Sequence, residues 1–408
     1  MPEEKQSAHD HRRLGAELDL FVFSDLVGSG LPLWTPKGTA LRLAADNFVW
    51  ELRQKYGYER VEIPHLAKKE LYEKSGHWDK FKDELFLIRT REGHEFAMKP
   101  MNCPHHIQIY DRVPHSYREL PLRYANTTMV YRDEQTGELG GLSRVRAITQ
   151  DDAHVFCRLP QATQEVINIW KIITEFYGAI GFTKFDIRLS FHDPKEIDKY
   201  LGTAELWQQA EYILRQVAAK QGVTATEAPG EAAFYGPKID FIAKDSLGRD
   251  WQIATIQMDL NLPERFDLTC INETGQKERI VMVHAAIMGS LERYLALVIE
   301  HFQGAFPLWL APVQTLILPI SDSHHSYAKK VLTELKEHGI KTEINLASET
   351  LGKKIRGGKL QKVPYLIVIG DKEVESNKLT AEGRTEKLEG ITVADFITSL
   401  QTEIKEKK

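Results

Sequence analysis

The feature that most constrains the fold is a set of three metal-ligating residues that lie far apart in the sequence. Cys103 belongs to the run Met101–His106, while His154 and His284 follow much later in the chain. One thiolate and two imidazoles form a plausible zinc set, with a fourth coordination position open for water or substrate. Ligands this widely spaced meet only through a folded sheet, so the sequence favours a sheet-based domain. Taken alone, the Cys-Pro-His-His run is equally consistent with a surface turn.

The cysteine content indicates a reducing compartment. The chain has three cysteines, Cys103, Cys157 and Cys270, and no two of them are close in sequence. This odd number argues against a disulfide framework, and the wide spacing argues against a structural zinc site built on close cysteine pairs. The segment Met1–Arg13 is charged and has no apolar core, so it is not a signal peptide. No apolar run approaches the roughly 20 residues of a membrane helix. We therefore expect a soluble, cytoplasmic protein that does not contact membranes.

The net charge limits how the chain can bind nucleic acid. The formal net charge is −5 at pH 7. This mildly negative balance is unlike that of a non-specific nucleic-acid binder, so any contact with RNA must be local.

The stretch from Leu120 to Phe156 alternates strand, loop and strand. Arg132 and Glu134 end the first predicted strand, and Arg144 begins the second. Arginines held in such a hairpin are suited to phosphate chemistry, because fixed guanidinium groups stabilise a transition state that spreads negative charge over phosphate oxygens. The alternative is a solvated hairpin face, which is disfavoured by the polar residues that follow in the return strand.

These stretches resemble the catalytic core of the threonyl-tRNA synthetases, a family of class II aminoacyl-tRNA synthetases. The similarity is carried by Tyr131–Glu134, Thr149–Phe156, His284 and Gly289–Arg293, and it runs from about Asp10 to the C-terminus. It implies an α+β fold: a class II antiparallel sheet flanked by helices, followed by a C-terminal α/β anticodon-binding domain with a mixed sheet. The expected divisions are an N-terminal linker segment at 1–20, a catalytic domain with the zinc site at 21–311, and the anticodon-binding domain at 312–408.

The resemblance also implies a role for individual residues. The metal ligands would be Cys103, His154 and His284, and the catalytic residues would be Arg132, Arg293 and His77. ATP would be bound by Arg132, Glu134, Arg144, Gln252, Thr255 and Arg293. Threonine would be bound by Met101, Gln150, Asp152, Tyr235, Gln257 and Ser290. From composition alone, Gln252, Thr255 and Gln257 would equally suit a buried strand with satisfied amides, and a histidine beside a tryptophan, as in His77-Trp78, is usually a packed core pair.

The implied function is that of a threonine–tRNA ligase. Such an enzyme activates L-threonine with ATP and transfers it to the 3′ end of the threonine-accepting tRNA. The cofactors would be one Zn²⁺ per chain and ATP with Mg²⁺. The zinc would recognise the amino group and the β-hydroxyl of threonine. The binding of valine would therefore be less favourable by several kcal/mol. The chain shows no counterpart of the family's N-terminal editing region, so we expect measurable mischarging with serine, which lacks only a methyl group.

A predicted helix at Thr39–Lys55 and a strand at Val61–Pro64 resemble the motif that forms the homodimer interface in class II synthetases. The alternative is a plain helix–strand pair on the surface.

The C-terminal part alternates strands and helices after the boundary at Phe306–Pro312. A predicted helix near Lys353–Leu360 carries a local basic cluster. Such a run is usually a solvated helix face, but in an anticodon-binding domain it is a candidate for phosphate contacts. The predicted tRNA-binding residues are Lys353, Lys354, Arg356 and Glu373.

Several residues depart from the family pattern near the predicted site. His105 and Ala285 replace glycine and arginine, and Ile148 stands where an aromatic residue would cover adenine. Ala232 and Ala254 stand where glycine is usual, and Glu382 replaces a basic residue in the C-terminal domain. These departures keep open a paralogue with shifted amino-acid or tRNA specificity, or a non-catalytic, regulatory tRNA-binding protein. A zinc hydrolase with Asp152 as general base would leave the arginines unexplained.

Overall fold

The structure is a computed structural model that describes residues 9–182, 184–244 and 249–408. The chain divides into two compact units. The larger unit comprises Asp25–Leu31 and Asp46–Leu295, and the smaller comprises Met1–Ser24, Pro32–Ala45 and Ala296–Lys408. The three-part division into 1–20, 21–311 and 312–408 stays a prediction. Across the described ranges, no helix is long and apolar enough to cross a lipid bilayer.

The β-strands of both units are numbered here in chain order. They are β1 (Phe21–Val22), β2 (Leu33–Trp34), β3 (Glu59–Arg60), β4 (Leu66–Lys68), β5 (Leu87–Arg89), β6 (Glu95–Met98), β7 (His115–Ser116), β8 (Leu122–Tyr131), β9 (Ala147–Cys157), β10 (Asp186–Phe191), β11 (Ala225–Pro229), β12 (Lys238–Lys244), β13 (Asp250–Asp259), β14 (Thr269–Ile271), β15 (Lys277–Arg279), β16 (Val281–Ala286), β17 (Thr315–Pro319), β18 (Thr342–Ile344), β19 (Tyr365–Ile369), β20 (Leu379–Gly383) and β21 (Lys387–Ile391).

The α-helices are numbered in the same way, and short 3₁₀ turns lie between some of them. They are α1 (His11–Glu17), α2 (Pro36–Lys55), α3 (Lys69–Ser75), α4 (His77–Lys80), α5 (Cys103–Tyr110), α6 (Leu159–Gly178), α7 (Ala204–Lys220), α8 (Asn261–Arg265), α9 (Leu291–His301), α10 (His325–Glu337), α11 (Leu351–Leu360), α12 (Asp371–Ser376) and α13 (Val393–Lys405). The 3₁₀ turns are Lys82–Glu84, Thr136–Glu138, Pro194–Lys199 and Asp322–His324.

The larger unit is built on one wide sheet. Within the described residues, its strand order is β11-β10-β12-β13-β16-β9-β8-β3. All neighbouring strands run antiparallel except the two outermost pairs, β10/β11 and β3/β8, which are parallel. This confirms the predicted antiparallel sheet.

Helix α6 shows how the sheet is covered. Its first turn contains Pro160, a residue suited to that position because its missing N–H would be unpaired there anyway. Val166, Ile169, Ile173 and Phe176 recur at helical spacing and are buried against the sheet. Burial of each such side chain contributes about 1.5–3 kcal/mol. The apolar stripe therefore fixes the face that α6 turns to the sheet.

Two expected boundaries in the larger unit were wrong. The predicted strand at Val61–Pro64 begins where the ladder ends: the strand that pairs with β8 is Glu59–Arg60, and the N–H of Val61 makes a last bond to the carbonyl of Ala125 at 3.1 Å. Pro64 has no N–H to donate, which disfavours a ladder position. The return strand of the hairpin begins at Ala147, not at Arg144, because the carbonyl of Arg144 accepts from the N–H of Gly140 within the loop and the first residue paired with β8 is Ala147.

The smaller unit contains the mixed sheet that was predicted. Its described strands follow the order β18-β17-β19-β20-β21, with the first three parallel and the last two antiparallel to their neighbours. Ile317 and Ile367 are fully buried in neighbouring strands, and they pack with Leu335 of α10 and Phe396 of α13. One apolar core therefore holds these helices on the sheet.

A candidate active site and metal centre

A cavity of about 500 Å³ lies in the larger unit, against the central sheet. Strands β8, β9, β12, β13 and β16 contribute side chains to its wall, together with the start of α9. The predicted site residues that line it are Met101, Arg132, Gln150, Asp152, His154, Tyr235, Gln252, Thr255, Gln257, His284, Ser290 and Arg293. The structure thus brings together side chains that the sequence separates by almost two hundred positions.

Strand register explains how these residues meet. Along β9, Gln150, Asp152 and His154 alternate with residues of the opposite face, so all three point to the cavity. In the ladder, His284 of β16 pairs with His154 on one side and with Gln257 of β13 on the other. A row of polar side chains therefore crosses three neighbouring strands.

A β-bulge brings one further residue into the cavity wall. Gln252 and Thr255 are three positions apart, so in a regular strand they would face opposite sides of the sheet. The β12/β13 register shifts between Phe241 and Ile242, which leaves Ile253 as the extra residue of β13. Both Gln252 and Thr255 consequently line the cavity. Bulges commonly redirect side chains beside active sites.

The three predicted metal ligands form a buried cluster. One ligand atom from each of Cys103, His154 and His284 lies within 4.8 Å of the other two. Cys103 is the first residue of α5, and the histidines come from adjacent strands. A three-residue set of this kind leaves a metal position open to ligands, as catalytic zinc sites do.

The hydrogen bond to Asp259 fixes the orientation of His284. Nε2 of His284 lies 2.9 Å from Oδ2 of Asp259, whose other oxygen accepts the backbone N–H groups of Asn261 and Leu262 at 2.8 and 2.9 Å. An ionised carboxylate only accepts, so Nε2 of His284 carries the hydrogen and its other ring nitrogen is left for a metal. Such carboxylate partners are typical of zinc-bound histidines.

His154 has a different partner. Its Nδ1 lies 2.7 Å from Nδ1 of His106, so one of the two rings must donate. A metal at the cluster needs the lone pair of His154 Nε2, which assigns the donated hydrogen to His154. Asp152 is oriented nearby, because Asn102 donates its amide N–H to Oδ2 at 3.1 Å.

The electrostatics of the cluster suit a cation. Burial raises the pKa of the Cys103 thiol well above its usual range, and the negative charges of Asp152 and Asp259 raise it further. Burial likewise lowers the pKa of His154, which keeps its ring neutral. Neutral imidazoles and a thiol that needs a nearby positive charge to ionise are the donor set that Zn²⁺ takes. The residues therefore fit the implied metal.

Two guanidinium groups, those of Arg132 and Arg293, line the cavity, and that of Arg144 lies near Arg293. Burial lowers the pKa of Arg293, and the positive charges of Arg132 and Arg144 add to the effect. Arg144 forms an ion pair of 2.6 Å with Glu134, and Arg293 donates to the carbonyl of Ser143 at 3.0 Å. Clustered arginines of this kind are suited to the oxygens of a polyphosphate.

Two buried polar atoms in the cavity wall have no hydrogen-bond partner among the described residues. They are Nε of Arg132 and the amide oxygen of Gln150. The guanidinium of Arg132 also stands 5.1 Å above the ring of Phe81. Buried polar groups are almost always paired in a working protein, so these atoms point to a polar ligand.

His77 lies behind the metal cluster and is fully buried. Its Nδ1 lies 2.8 Å from the hydroxyl of Ser75, and its Nε2 lies 3.5 Å from the sulfur of Cys103. Burial lowers its pKa to about 3. Its role as a catalytic residue stays a prediction, although here it contacts the metal set instead of the cavity.

The predicted tRNA contacts divide into exposed and buried residues. Lys353 and Arg356 are exposed on α11. The basic residues of α11 do not form one solvated face, because Lys354 is buried. Only 3% of Lys354 is exposed, and its ammonium donates to the carbonyl of Pro319 at 2.9 Å. Its predicted phosphate contact is not supported by this geometry. Glu373 is buried and accepts from Gly370 and Thr380, so its role in RNA binding stays a prediction.

Sequence reasoning missed four residues of the site. Lys238 lines the cavity and lies 3.2 Å from the buried Asp240, while Asp259 and His106 hold the two histidines. The alternation of β12 would have placed Lys238 and Asp240 on one face. Nothing in the sequence pattern identifies Asp259 and His106, because their partners come from other elements.

Comparison with known proteins agrees with this geometry. Residues 85–302 match the family described as "tRNA synthetase class II core domain (G, H, P, S and T)", and residues 314–403 match "Anticodon binding domain". The threonine--tRNA ligases of Flavobacterium johnsoniae and Cytophaga hutchinsonii are 45% and 46% identical to 98% of this chain. The chain spans 63% of the length of each of these relatives.

A solved structure is similar over nearly the whole chain. It is the crystal structure of the RNA binding domain of threonyl-tRNA synthetase from Cryptosporidium parvum, with a TM-score of 0.91 and 37% identity. The match covers 97% of this chain and 98% of that chain.

Proposed function

Since the chain belongs to the class II tRNA synthetases and carries an anticodon-binding domain, we propose that it is a threonine–tRNA ligase. It activates L-threonine with ATP and transfers the threonyl group to the 3′ end of a tRNA. The observation that carries this proposal is that two imidazoles, which cluster with the thiol of Cys103, line the same cavity as the guanidinium groups of Arg132 and Arg293. A threonyl-adenylate has two matching parts: an amino-acid side chain and a phosphate.

The arginines account for the first half-reaction. The carboxylate of threonine attacks the α-phosphate of ATP, the bond to the β-phosphate breaks, and pyrophosphate leaves; bound Mg²⁺ would offset part of the charge on the phosphates. Arg132 neutralises the charge that develops where carboxylate and α-phosphate meet, while Arg144 and Arg293 hold the departing phosphates. Glu134 is paired with Arg144 in this structure. When ATP binds, Arg144 exchanges this carboxylate for a phosphate. Fixed charges act without reorganisation at the moment of reaction.

The thiol–imidazole cluster accounts for amino-acid selection. Cys103, His154 and His284 would hold one Zn²⁺, a Lewis acid that can bind the amino group and β-hydroxyl of threonine together. Asp152, held by Asn102, accepts from the same hydroxyl. Valine would leave Asp152 without its donor, at a cost of about 1–3 kcal/mol from that group alone. Met101, Gln150, Tyr235, Gln257 and Ser290 form the remaining wall of the amino-acid site.

We also propose a domain division, an oligomeric state, a cellular location and tRNA contacts for the enzyme. The division at residue 312 places the catalytic part before the anticodon-binding part, which agrees with the order of the two matched families. A homodimer is supported by a run of exposed apolar side chains between residues 22 and 33, namely Val22, Phe23, Leu26, Val27 and Leu33. A cytoplasmic location is supported by three free cysteines. The tRNA is bound in part by Lys353 and Arg356.

Threonine-dependent ATP–pyrophosphate exchange tests the proposal. We expect exchange with threonine, weaker exchange with serine and little with valine, and we expect all of it to disappear after zinc chelation and to return when Zn²⁺ is added. Serine lacks one methyl group, which is worth roughly 1–3 kcal/mol. Equal exchange with valine and threonine would overturn the zinc-based selection.

The alternative of a paralogue with another specificity is favoured by one observation. Ile148 and Ala285 line the cavity at positions where the family resemblance leads us to expect other residues. Absence of exchange with threonine, serine and valine, in a protein that still binds zinc, would support that alternative.

A further inference from the structure

Asp240 has an unusual concentration of hydrogen-bond donors around it. Its side chain is completely buried in β12. Oδ1 accepts from the amide nitrogen of Gln252 at 2.8 Å and from the hydroxyl of Thr255 at 3.0 Å. Oδ2 accepts from the hydroxyl of Ser190 at 2.7 Å and lies 3.2 Å from the ammonium of Lys238 and 4.0 Å from Nε of Arg188. Three of these five partners line the cavity, but Asp240 itself does not.

The carboxylate dictates which hydrogen-bonding atoms its neighbours present to the cavity. Because an ionised carboxylate has no hydrogen to donate, Gln252 must turn its NH₂ group towards Asp240, and Thr255 must use its single hydroxyl hydrogen there. The amide nitrogen of Gln252 also donates to the oxygen of Thr255. What remains for a ligand is the amide oxygen of Gln252 and the lone pairs of Thr255.

We propose that Asp240 is a positioning residue that makes Gln252 and Thr255 hydrogen-bond acceptors, so that this part of the cavity binds the sugar hydroxyls of the nucleotide and not its phosphates. The inference rests on the proposed function, in which both residues bind ATP. Phosphate oxygens at neutral pH are acceptors and are repelled by other acceptors, whereas hydroxyl groups donate. The nucleotide is therefore held in one direction, with its phosphates towards the arginines and its sugar towards β13.

The geometry of β13 supports the same assignment. The bulge at Ile253 is what places Gln252 and Thr255 on one face, where a single carboxylate oxygen reaches both. In the ladder, Asp240 pairs directly with Thr255, so the short contact follows from backbone register. The acceptor pair is thus built into the sheet and does not depend on a mobile loop.

The test compares nucleotides that differ by one hydroxyl group. Threonine-dependent ATP–pyrophosphate exchange is measured with ATP, 2′-deoxy-ATP and 3′-deoxy-ATP, for the wild-type protein and for Asp240→Asn. In the wild type, loss of a bound hydroxyl raises the KM for the nucleotide by about tenfold, the effect of one hydrogen bond. In D240N one oxygen becomes an NH₂ group. Whichever side of the side chain this group faces, it meets hydrogen-bond donors there. The KM for ATP then rises, the KM for threonine stays unchanged, and the ratio between deoxy-ATP and ATP falls towards one.

Two further variants separate positioning from folding. Glu211→Gln alters a buried carboxylate of the same unit, which accepts from His192 at 2.6 Å away from the cavity. It should lower thermal stability while leaving the nucleotide ratio as in the wild type. If D240N does not fold, Thr255→Val removes one acceptor and leaves Asp240 in place, and it should lower the same ratio.

The outcomes are distinct. A folded D240N with the wild-type nucleotide ratio, or a wild type that uses both deoxynucleotides as well as ATP, would overturn the role of Asp240. A wild type without threonine-dependent exchange would instead contradict the proposed function. In that case, calorimetric binding of ATP and the two deoxynucleotides still tests the acceptor pair.

Discussion

At the scale of the residue, the two histidines of the metal cluster differ in what holds them. His284 is backed by the carboxylate of Asp259, and His154 by the imidazole of His106. A carboxylate both fixes the ring and makes the ligating nitrogen more basic, while a neutral ring only fixes it. Asp259 should therefore contribute more to metal affinity than His106 does.

We expect Asp259→Asn to weaken zinc binding by roughly 10- to 100-fold, the usual effect of removing an outer partner of a ligating histidine. Competition with a coloured chelator measures the dissociation constant directly, without reference to activity. Asp267→Asn provides the matched control, since Asp267 is exposed and forms its ion pair with Arg279 on the surface. An unchanged zinc affinity in D259N would contradict the assigned orientation of His284.

Lys341 in the smaller unit gives a prediction for pH. Burial lowers its pKa from 10.5 to about 8, so the folded state disfavours the charged form. The penalty is complete below pH 8 and shrinks as the pH rises towards 10.5, where the unfolded chain also loses the proton. We expect Lys341→Met to raise the free energy of unfolding by about 1–2 kcal/mol at pH 7.

Urea unfolding at pH 7 and at pH 10 checks this prediction. The gain of the Met variant over the wild type should be smaller at pH 10. Lys330→Met, at an exposed position of α10, should change stability by less than about 0.5 kcal/mol at either pH. A gain that does not depend on pH would mean that packing, and not charge, explains the effect.

Sequence reasoning at the residue scale predicted which residues form the cluster but not which residues hold them in place. Cysteine and histidine in recognisable stretches predicted a cluster that the structure brings within 4.8 Å. The basic run on α11 did not reveal that Lys354 is buried, because burial depends on the packing of the helix and not on its composition. Asp240 and Asp259 look like ordinary strand carboxylates until their neighbours are known.

At the scale of the element, helix α6 supports the bulge of β13. The hydroxyl of Tyr177 lies 2.7 Å from the carbonyl of Ile253, the extra residue of the bulge, and 3.0 Å from the carbonyl of Ile287. A bulge leaves a backbone group outside the ladder, and here Tyr177 provides its partner.

We therefore expect Tyr177→Phe to destabilise the protein by about 1–3 kcal/mol, because a buried carbonyl loses its donor. The KM for ATP should also rise, since the bulge carries Gln252 into the cavity. Tyr294→Phe is a close control: its ring is 6.3 Å from that of Tyr177, but its buried hydroxyl has no hydrogen-bond partner among the described residues. Thermal unfolding should show Y294F to be neutral or slightly stabilised, and equal losses in both variants would contradict the prediction.

The same bulge marks a limit of sequence reasoning about elements. Trp251–Asp259 alternates with period two, which correctly predicts a strand; the strand is not half-buried, however, because every residue from Ile253 to Asp259 except Thr255 is buried. Strict alternation, however, would turn Gln252 away from Thr255 and Gln257, and only the family resemblance grouped the three. The extra residue has no sequence signature here, because Ile253 is as suitable for a regular strand as for a bulge.

At the scale of the whole molecule, the proposed chemistry lies entirely in the larger unit, while the residues proposed to contact tRNA lie in the smaller one. The alternation of strands and helices after Thr315 was predicted, but α12 was not, and neither was the hairpin of β20 and β21. Its strands are short and rich in charged residues, so hydrophobic periodicity is weak there.

This separation predicts that the two activities respond independently to mutation. We expect the double variant Lys353→Ala and Arg356→Ala to raise the KM for tRNA by about tenfold at physiological salt, since phosphate contacts dominate such affinities. The rate of threonine-dependent ATP–pyrophosphate exchange should remain that of the wild type. Aminoacylation measured over a range of salt concentrations should show a shallower salt dependence in the variant. A parallel loss of exchange would mean that these residues also support the catalytic unit.

The position of Asp259 has a consequence for how the metal could be observed. Its Oδ1 accepts the amides of Asn261 and Leu262, and these bonds start α8. The same carboxylate holds His284, so any movement of that ring as the metal leaves also frees the start of the helix. Deuterium uptake at these two amides should therefore follow zinc occupancy. The free energy of local opening of this five-residue helix would then report zinc binding without direct detection of the metal.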